Sequence, residues 1–280
     1  MSEAPRRLPR PPDWSLYAGA LAVLVAACLA TAENADAPPA PTAPSAVEAA
    51  LLGPVTPFDP AVVVDAPRPD EAPQTGTAFS VAGSGRWITA RHVVEGCRRP
   101  ALLVGGDRAV AADVRLAPHA DVAMLITDGG PQALPLRSIG RLKAGQLAFH
   151  PGYPRGKAGE ASSRLLGYET LGPRARGHRS ERVLAWAEVG RTQDLEGSLA
   201  GLSGAPALDA QGRVVGVTIA EAPRRGRIYT TTPSDLSSAV RGQADVDVRS
   251  AGAVTIENYG RVADDLRRNL RVAQVACLSS

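Results

Sequence analysis

The chain has 280 residues, is 44% hydrophobic but only 4% aromatic, and carries a formal net charge of +3. That length suits one domain with appendages, around a core built mostly of Val, Leu, Ile and Ala. So small a net charge favours neither a nucleic-acid binder nor a strongly steered partner. Three cysteines and four histidines, with no two at zinc-ligand spacing, argue against a metal enzyme, and no cofactor is expected.

The N-terminus carries the compartment signal. Arg6, Arg7 and Arg10 precede an uncharged apolar run from Leu16 to Ala32. This reads as an export signal or a short membrane anchor, with the positive flank held on the cytoplasmic side. Three fates stay open. Ala30-Thr31-Ala32 suits cleavage, Val25-Ala26-Ala27-Cys28 resembles a bacterial lipobox, and the segment could persist as an anchor. Each exports the rest of the chain. A bacterial periplasmic location, with membrane contact through residues 1–32, is therefore expected. Residues 33–75 are rich in Pro and Ala and read as an extended tether.

Ordered structure is predicted from Gly76. Thr77–Val81 alternates as a strand, Ala82–Gly85 is a hairpin turn, and Arg86–Ala90 returns. Further short strands are predicted at Ala101–Val104, Ala109–Leu116, Val122–Ile126, Gln146–His150, Arg164–Leu171, Val183–Trp186, Arg213–Ala220 and Ile228–Thr231. Many short strands separated by regular turn signals indicate an all-β barrel or sandwich. Helical patterning appears at Pro233–Val240 and at Ile256–Val275, the latter with Leu266, Leu270 and Ala273 on one face. The expected division is a β domain over 76–241 and a C-terminal extension with a helix over 242–280. No separate peptide-binding module is evident after the barrels.

Three residues carry the chemistry. Ser203 lies in Gly201-Leu202-Ser203-Gly204-Ala205-Pro206, His92 in Thr89-Ala90-Arg91-His92-Val93-Val94, and Asp121 opens Asp121-Val122-Ala123-Met124-Leu125. A serine hydroxyl needs a base within hydrogen-bond reach, and the base needs a carboxylate to hold its tautomer. Each residue alone reads most simply as a turn, a strand-end histidine or a capping carboxylate. Their joint occurrence in the order His, Asp, Ser is the specific signal. All four histidines precede Ser203, so an α/β-hydrolase order, which places His after Ser, fails. His119 and His150 receive no catalytic role.

With Gly76-Thr77-Ala78-Phe79, Gly152-Tyr153-Pro154 and Thr232-Pro233-Ser234, these motifs resemble the trypsin-like serine peptidases, closest to the bacterial Deg/HtrA type, over roughly 76–236. The resemblance implies two six-stranded antiparallel β-barrels of the chymotrypsin type, with the active site between them. It implies Ser203 as nucleophile, His92 as base and Asp121 as its orienting acid. The N–H groups of Gly201 and Ser203 would form the oxyanion hole. Thr230, Thr231 and Thr232 would line the substrate strand and pocket wall, and Gly197 would lie near the pocket base. No Asp stands six residues before Ser203, so small or medium aliphatic side chains are expected in the pocket. Leu202 stands where the family usually has a polar residue, and Ala205 where it usually has Gly.

The partner implied is a protein or peptide substrate, met in envelope quality control or in a regulatory cleavage. The alternative is a catalytically degenerate protease-fold module that binds or senses at the membrane, motivated by Leu202 and Ala205. In an exported protein Cys97 and Cys277 are expected to pair, clipping the C-terminal helix to the first barrel; the alternative is two separate buried thiols. Arg174, Arg176, Arg179 and Arg182, and again Arg224, Arg225 and Arg227, read as solvated basic loops.

Overall fold

The computed structural model describes residues 61–62, 75–105, 108–137, 142–172, 180–193, 195–245, 248 and 250–278. All belong to one unit, Ala35–Ser280; the other, Met1–Asn34, falls outside the described residues together with the expected signal or anchor. No helix among the described residues is long and apolar enough to cross a membrane.

Fourteen strands are described. They are β1 (Ala61–Val62), β2 (Thr75–Ala82), β3 (Arg86–Thr89), β4 (Pro100–Leu103), β5 (Ala109–Ala111), β6 (Asp113–Leu116), β7 (Ala123–Ile126), β8 (Leu147–Gly152), β9 (Gly159–Leu171), β10 (Glu181–Arg191), β11 (Pro206–Leu208), β12 (Val214–Ala222), β13 (Arg227–Thr230) and β14 (Val272–Cys277). Three helices join them: α1 (Arg91–Val94), α2 (Pro233–Ala239) and α3 (Tyr259–Arg268). The strands make two barrel-like, almost wholly antiparallel sheets, the chymotrypsin-like architecture expected.

The first sheet runs β5-β4-β14-β2-β3-β7-β6. Its core gathers Phe79, Ile88, Leu102, Leu125 and Val275, all nearly or fully buried. The second runs β9-β10-β13-β12-β11-β8 and closes through a β8–β9 pairing, so six strands form a ring. Leu165, Leu184, Leu202 and Ile228 fill it around Trp186, whose indole N–H donates to Thr230 Oγ1 at 2.9 Å. β1 lies within the stretch expected to be a tether. It adds to this ring as a parallel strand, Val62 opposite Leu171.

The C-terminal part differs from expectation. The helix predicted to Val275 stops at Arg268, where Asn269 caps it and Leu270 turns left-handed at φ 55°. Val272, Ala273 and Val275 then alternate as a buried strand. The helical spacing of Leu266, Leu270 and Ala273 is coincidental across that turn. β14 pairs with both β2 and β4, so residues assigned to an extension form an inner strand of the first barrel. Ala109–Leu116, predicted as one strand, breaks at Ala112, whose N–H turns to Pro100 O at 3.0 Å. β11 was hidden from the strand pattern because it is only three residues long and begins with Pro206.

Candidate active site

His92 rides on α1, a single turn. Val93 and Val94 anchor it in the first core, leaving His92 on the other side with its side chain 28% exposed. Arg91 steadies the turn by pairing with Glu95 and donating to Ala117 O at 3.3 Å. Ala117 opens the short segment that leads to Asp121, so Arg91 ties the His92 turn to the Asp121 loop.

Asp121 precedes β7 and accepts two bonds from His92. The His92 backbone N–H reaches Oδ1 at 3.0 Å, and ring Nδ1 lies 2.7 Å from Oδ2. An ionised carboxylate only accepts, so Nδ1 carries the proton and Nε2 is left as the basic nitrogen. The Asp121 backbone N–H is itself held by both carboxylate oxygens of Glu181, at 3.1 and 3.2 Å. Glu181 opens β10 of the second barrel, so Asp121 in the first barrel is held from the other.

Ser203 follows a tight turn in which Leu202 N–H donates to Leu199 O at 2.8 Å and Gly201 sits at φ 96°. That dihedral strains any side chain, and a Cβ on Gly201 would lie 2.6 Å from Tyr153 O. Gly204 is tighter still. At φ 91°, a Cβ there would stand 1.9 Å from Thr77 O and 2.4 Å from Thr89 Oγ1. The Ser203 turn is thus pressed against β2 and the end of β3, one residue short of α1. Thr77 N–H donates to Ser203 O at 2.8 Å, and a Cβ on Gly76 would meet both Val93 Cγ1 (2.6 Å) and Ser203 O (2.9 Å). Ser203 and the His92 turn therefore converge on Gly76. Among the described residues no acceptor faces the N–H of Gly201 or of Ser203.

Leu202 and Ala205 have a packing role. Both are buried in the second core, and they flank Gly152, whose added Cβ would fall 2.8 Å from Leu202 Cδ1 and 3.3 Å from Ala205 Cβ. They support the turn from beneath. The strand flanking the turn is β12, since Thr218 O accepts from Gly204 N–H (2.7 Å) and Thr218 N–H donates to Ala205 O (2.8 Å). Further along β12, Glu221 bonds the Ser198 hydroxyl and the Leu199 N–H, fastening the approach to the Ser203 turn.

The side chains of Thr230, Thr231 and Thr232, expected along the substrate strand, are engaged within the fold. Thr230 and Thr231 are fully buried and Thr232 is 5% exposed. Thr230 Oγ1 accepts from Trp186, Thr231 Oγ1 accepts from Val217 N–H, and Thr232 Oγ1 caps α2 by accepting from Asp235 N–H. β13, which ends at Thr230, lies between β10 and β12, one strand away from the Ser203 turn. Gly197 is exposed at φ 73°, its carbonyl accepting from Arg191 at 2.8 Å. Cys97 and Cys277 form a disulfide, with Cα atoms 5.7 Å apart. It joins the segment after α1 to β14, not to the helix. Of the basic loops, Arg174, Arg176 and Arg179 lie outside the described residues.

His150, excluded from catalysis on sequence, is fully buried in β8 between Thr218 Oγ1 (2.9 Å) and Ser163 Oγ (2.7 Å). Burial pushes it down to about 3, so it stays neutral. The pattern did not reveal Glu181, Glu221 or Arg267. Each is a charged residue whose partner is a backbone group far away in sequence.

A family model described as the trypsin-like peptidase domain matches residues 76–217. No curated protein matches the chain. Among solved structures, the chain is similar to the Rv3671c protease of M. tuberculosis. Its inactive form is 26% identical, with a TM-score of 0.48 over 60% of this chain and 82% of that one. Its active form is 22% identical, also at 0.48, over 74% and 98%. The HtrA-type protease AlgW with a decapeptide is 17% identical, with a TM-score of 0.43 over 59% and 50%. The MamO protease domain of Magnetospirillum magneticum is 20% identical, with a TM-score of 0.45 over 59% and 93%. With its family match spanning both barrels from β2 into β12, this chain belongs to the trypsin-like peptidases.

Proposed function

We propose that the chain is a serine endopeptidase that hydrolyses peptide bonds with Ser203, His92 and Asp121. The observation that carries this reading is the His92–Asp121 couple, 2.7 Å apart, beside a nucleophile turn that converges with it on Gly76. Ser203 Oγ attacks the scissile carbonyl as His92 Nε2 takes its proton. Asp121 stabilises the imidazolium, and the same proton then passes to the leaving amine. The N–H groups of Gly201 and Ser203 receive the charge developing on the carbonyl oxygen, each worth roughly 3 kcal/mol in a water-poor cleft. Water completes the cycle by attacking the acyl-enzyme, with His92 again as base.

Export across a bacterial inner membrane, with periplasmic residence and anchoring through the N-terminal segment, belongs to the same proposal. The basic leader with its apolar run supports it, as does a disulfide of the kind that persists in oxidising compartments. The substrate would be a protein or peptide of the envelope. The inward packing of Leu202 and Ala205 supports this reading over that of a degenerate binding module.

The test is labelling by a fluorophosphonate probe together with peptide cleavage. Wild type is expected to label at Ser203 and to cleave, while Ser203→Ala and His92→Ala do neither. Folded wild-type protein that resists the probe would sink the reading. A periplasmic reporter fused after residue 60 tests export, and an inactive reporter would refute it.

A further inference from the structure

Arg267 lies in α3 and is only 7% exposed, yet it carries a full charge into the protein. Its guanidinium has four acceptors. Nη1 donates to Gly152 O (3.3 Å) and Gly159 O (3.1 Å), and Nη2 donates to Glu160 Oε2 (2.9 Å) and Asp264 Oδ1 (2.5 Å). Gly152 and Gly159 are cross-strand partners at the two ends of the loop between β8 and β9. One rigid planar fork therefore grips both feet of that loop.

The tip of the loop turns through Pro154–Gly156, with Arg155 in the left-handed region at φ 53°, ψ 28°. A non-glycine residue there costs of order 1 kcal/mol and persists only where its surroundings hold it. From this position the Arg155 N–H donates to Ala200 O at 2.5 Å. The neighbouring Tyr153 N–H donates to Thr77 Oγ1 (3.0 Å), and the Thr77 hydroxyl donates onward to Gly201 O (2.8 Å). Two consecutive carbonyls of the nucleophile turn are thus fixed, one by the loop directly and one through Thr77.

Peptide geometry turns this into a statement about chemistry. In a trans peptide the N–H points opposite to the C=O. With Ala200 O drawn to Arg155, the Gly201 N–H must face away from the loop. Rotating that peptide by half a turn would put a carbonyl oxygen where the N–H now stands. Gly201 adopts positive and negative φ almost equally well, so its own backbone does not forbid the rotation. The preference comes from the loop.

We propose that Arg267 is a positioning residue for the oxyanion-binding peptide: from the C-terminal helix it holds the Gly152–Gly159 loop as a splint that sets the Ala200–Gly201 orientation. This rests on the reading of the Gly201 N–H as an oxyanion donor. Arg267 touches no substrate. It acts through Arg155 and, together with Thr77, on the donor that the transition state uses.

The experiment uses the full chain with three substitutions: Arg267→Lys, Thr77→Val, and Arg268→Ala as an exposed control on the same helix. An ammonium cannot reach both carbonyls and Glu160 at once. Arg267→Lys is expected to lower kcat about 100-fold, the scale of a misplaced catalytic group, while KM changes less than about threefold. Binding of a peptide aldehyde, which mimics the tetrahedral oxyanion, should weaken by the same factor as kcat. Thr77→Val should move the same two quantities in the same direction, and Arg268→Ala neither. A folded Arg267→Lys protein with wild-type kcat overturns the proposal, as does a loss that merely follows the unfolded fraction. If Arg267→Lys does not fold, Thr77→Val decides, and an unchanged kcat there overturns the splint. A wild-type protein inert to peptide and fluorophosphonate overturns the peptidase reading and the splint together. An active wild type with an unaffected Arg267→Lys overturns the splint alone.

Discussion

Removing the Cys97–Cys277 bridge should cost stability far more than it costs catalysis. The two cysteines are 180 residues apart, so the closed loop contains the whole second barrel. Chain-entropy reasoning for a loop of that length gives about 5 kcal/mol from restriction of the unfolded ensemble, an upper figure because unfolded chains are already partly compact. For a domain of this size each kcal/mol moves the unfolding midpoint by about 2–4 °C, so the double variant Cys97→Ala/Cys277→Ala should unfold roughly 10–20 °C below the oxidised wild type. The bridge closes next to α1 but shares no hydrogen bond with it beyond the Cys97 N–H to Val94 O bond, 3.0 Å long, which alanine keeps. The His92–Asp121 bonds do not pass through it. Peptidase kcat at 25 °C should therefore stay within about threefold of wild type, because the bridge acts mainly on the unfolded state. Thermal unfolding followed by circular dichroism, with peptidase assays below the transition, measures both. Equal midpoints would refute the reasoning. So would a kcat that collapses while the fold persists.

Asp121→Asn should retain the fold and lose about 10⁴-fold in kcat, because an amide no longer holds the Nδ1–H tautomer of His92; peptide hydrolysis checks it. Gly204→Ala should destabilise by about 4 kcal/mol or more in urea unfolding, since its Cβ meets backbone 1.9 Å away at a positive φ. Two buried groups oppose each other in pH dependence. His150 is neutral in the fold, pushed down to about 3, so stability is present above pH 6.5 and falls as pH drops below it. Glu160 is pushed up to about 7 by burial, against the pull of Arg267, so stability falls as pH rises from 4.5 through 7. Each slope approaches about 1.4 kcal/mol per pH unit, and between pH 4.5 and 6.5 they cancel. Urea midpoints against pH should therefore slope in opposite directions for Glu160→Gln and His150→Asn, and two flat curves would contradict this.

Local signals read well from sequence alone. The hairpin at Ala82–Gly85, the strand at Arg86 and the turns around Gly201 and Gly204 each depend on a few neighbouring residues, and each stands within a residue or two of its predicted place. The His92–Asp121 couple was legible because its chemistry needs particular residue types in order. β13, which ends at Thr230, stands one strand removed from the Ser203 turn, which β12 flanks. Ile219–Ala222 lie nearer to Ser203 in sequence than Thr230–Thr232 do, but nothing local says which stretch flanks the Ser203 turn; only the pairing through Thr218 does. The C-terminal helix was overextended because Leu266, Leu270 and Ala273 satisfy a helical period while Leu270 turns the chain through a positive φ, a break that the glycine rules do not flag. Arg267 was invisible for a different reason. Arginine on an amphipathic helix normally marks the solvated face, and only the fold shows carbonyls of β8 and β9 waiting beneath it.

The placement of β14 joins these points. An inner strand supplied by residues 272–277 is bonded on one side to β2, which carries Thr77, and on the other to β4, which follows Cys97. Thr77 holds the nucleophile turn, and Cys97 closes the segment that bears His92. The same C-terminal stretch carries α3, whose Arg267 grips the loop behind Gly201. Both halves of the candidate site are therefore braced by elements that come after the family-matched region ends at residue 217. Pairings of such large sequence separation form late and slowly, because the loop must close before the contacts stabilise it. Removing residues 272–278 would thus take out an inner strand with its hydrogen bonds to two neighbours. Loss of both His92 positioning and fold is expected, not the mild trimming that an appended tail would tolerate. A truncated chain that still labelled with fluorophosphonate at the wild-type rate would show that the first barrel closes without β14.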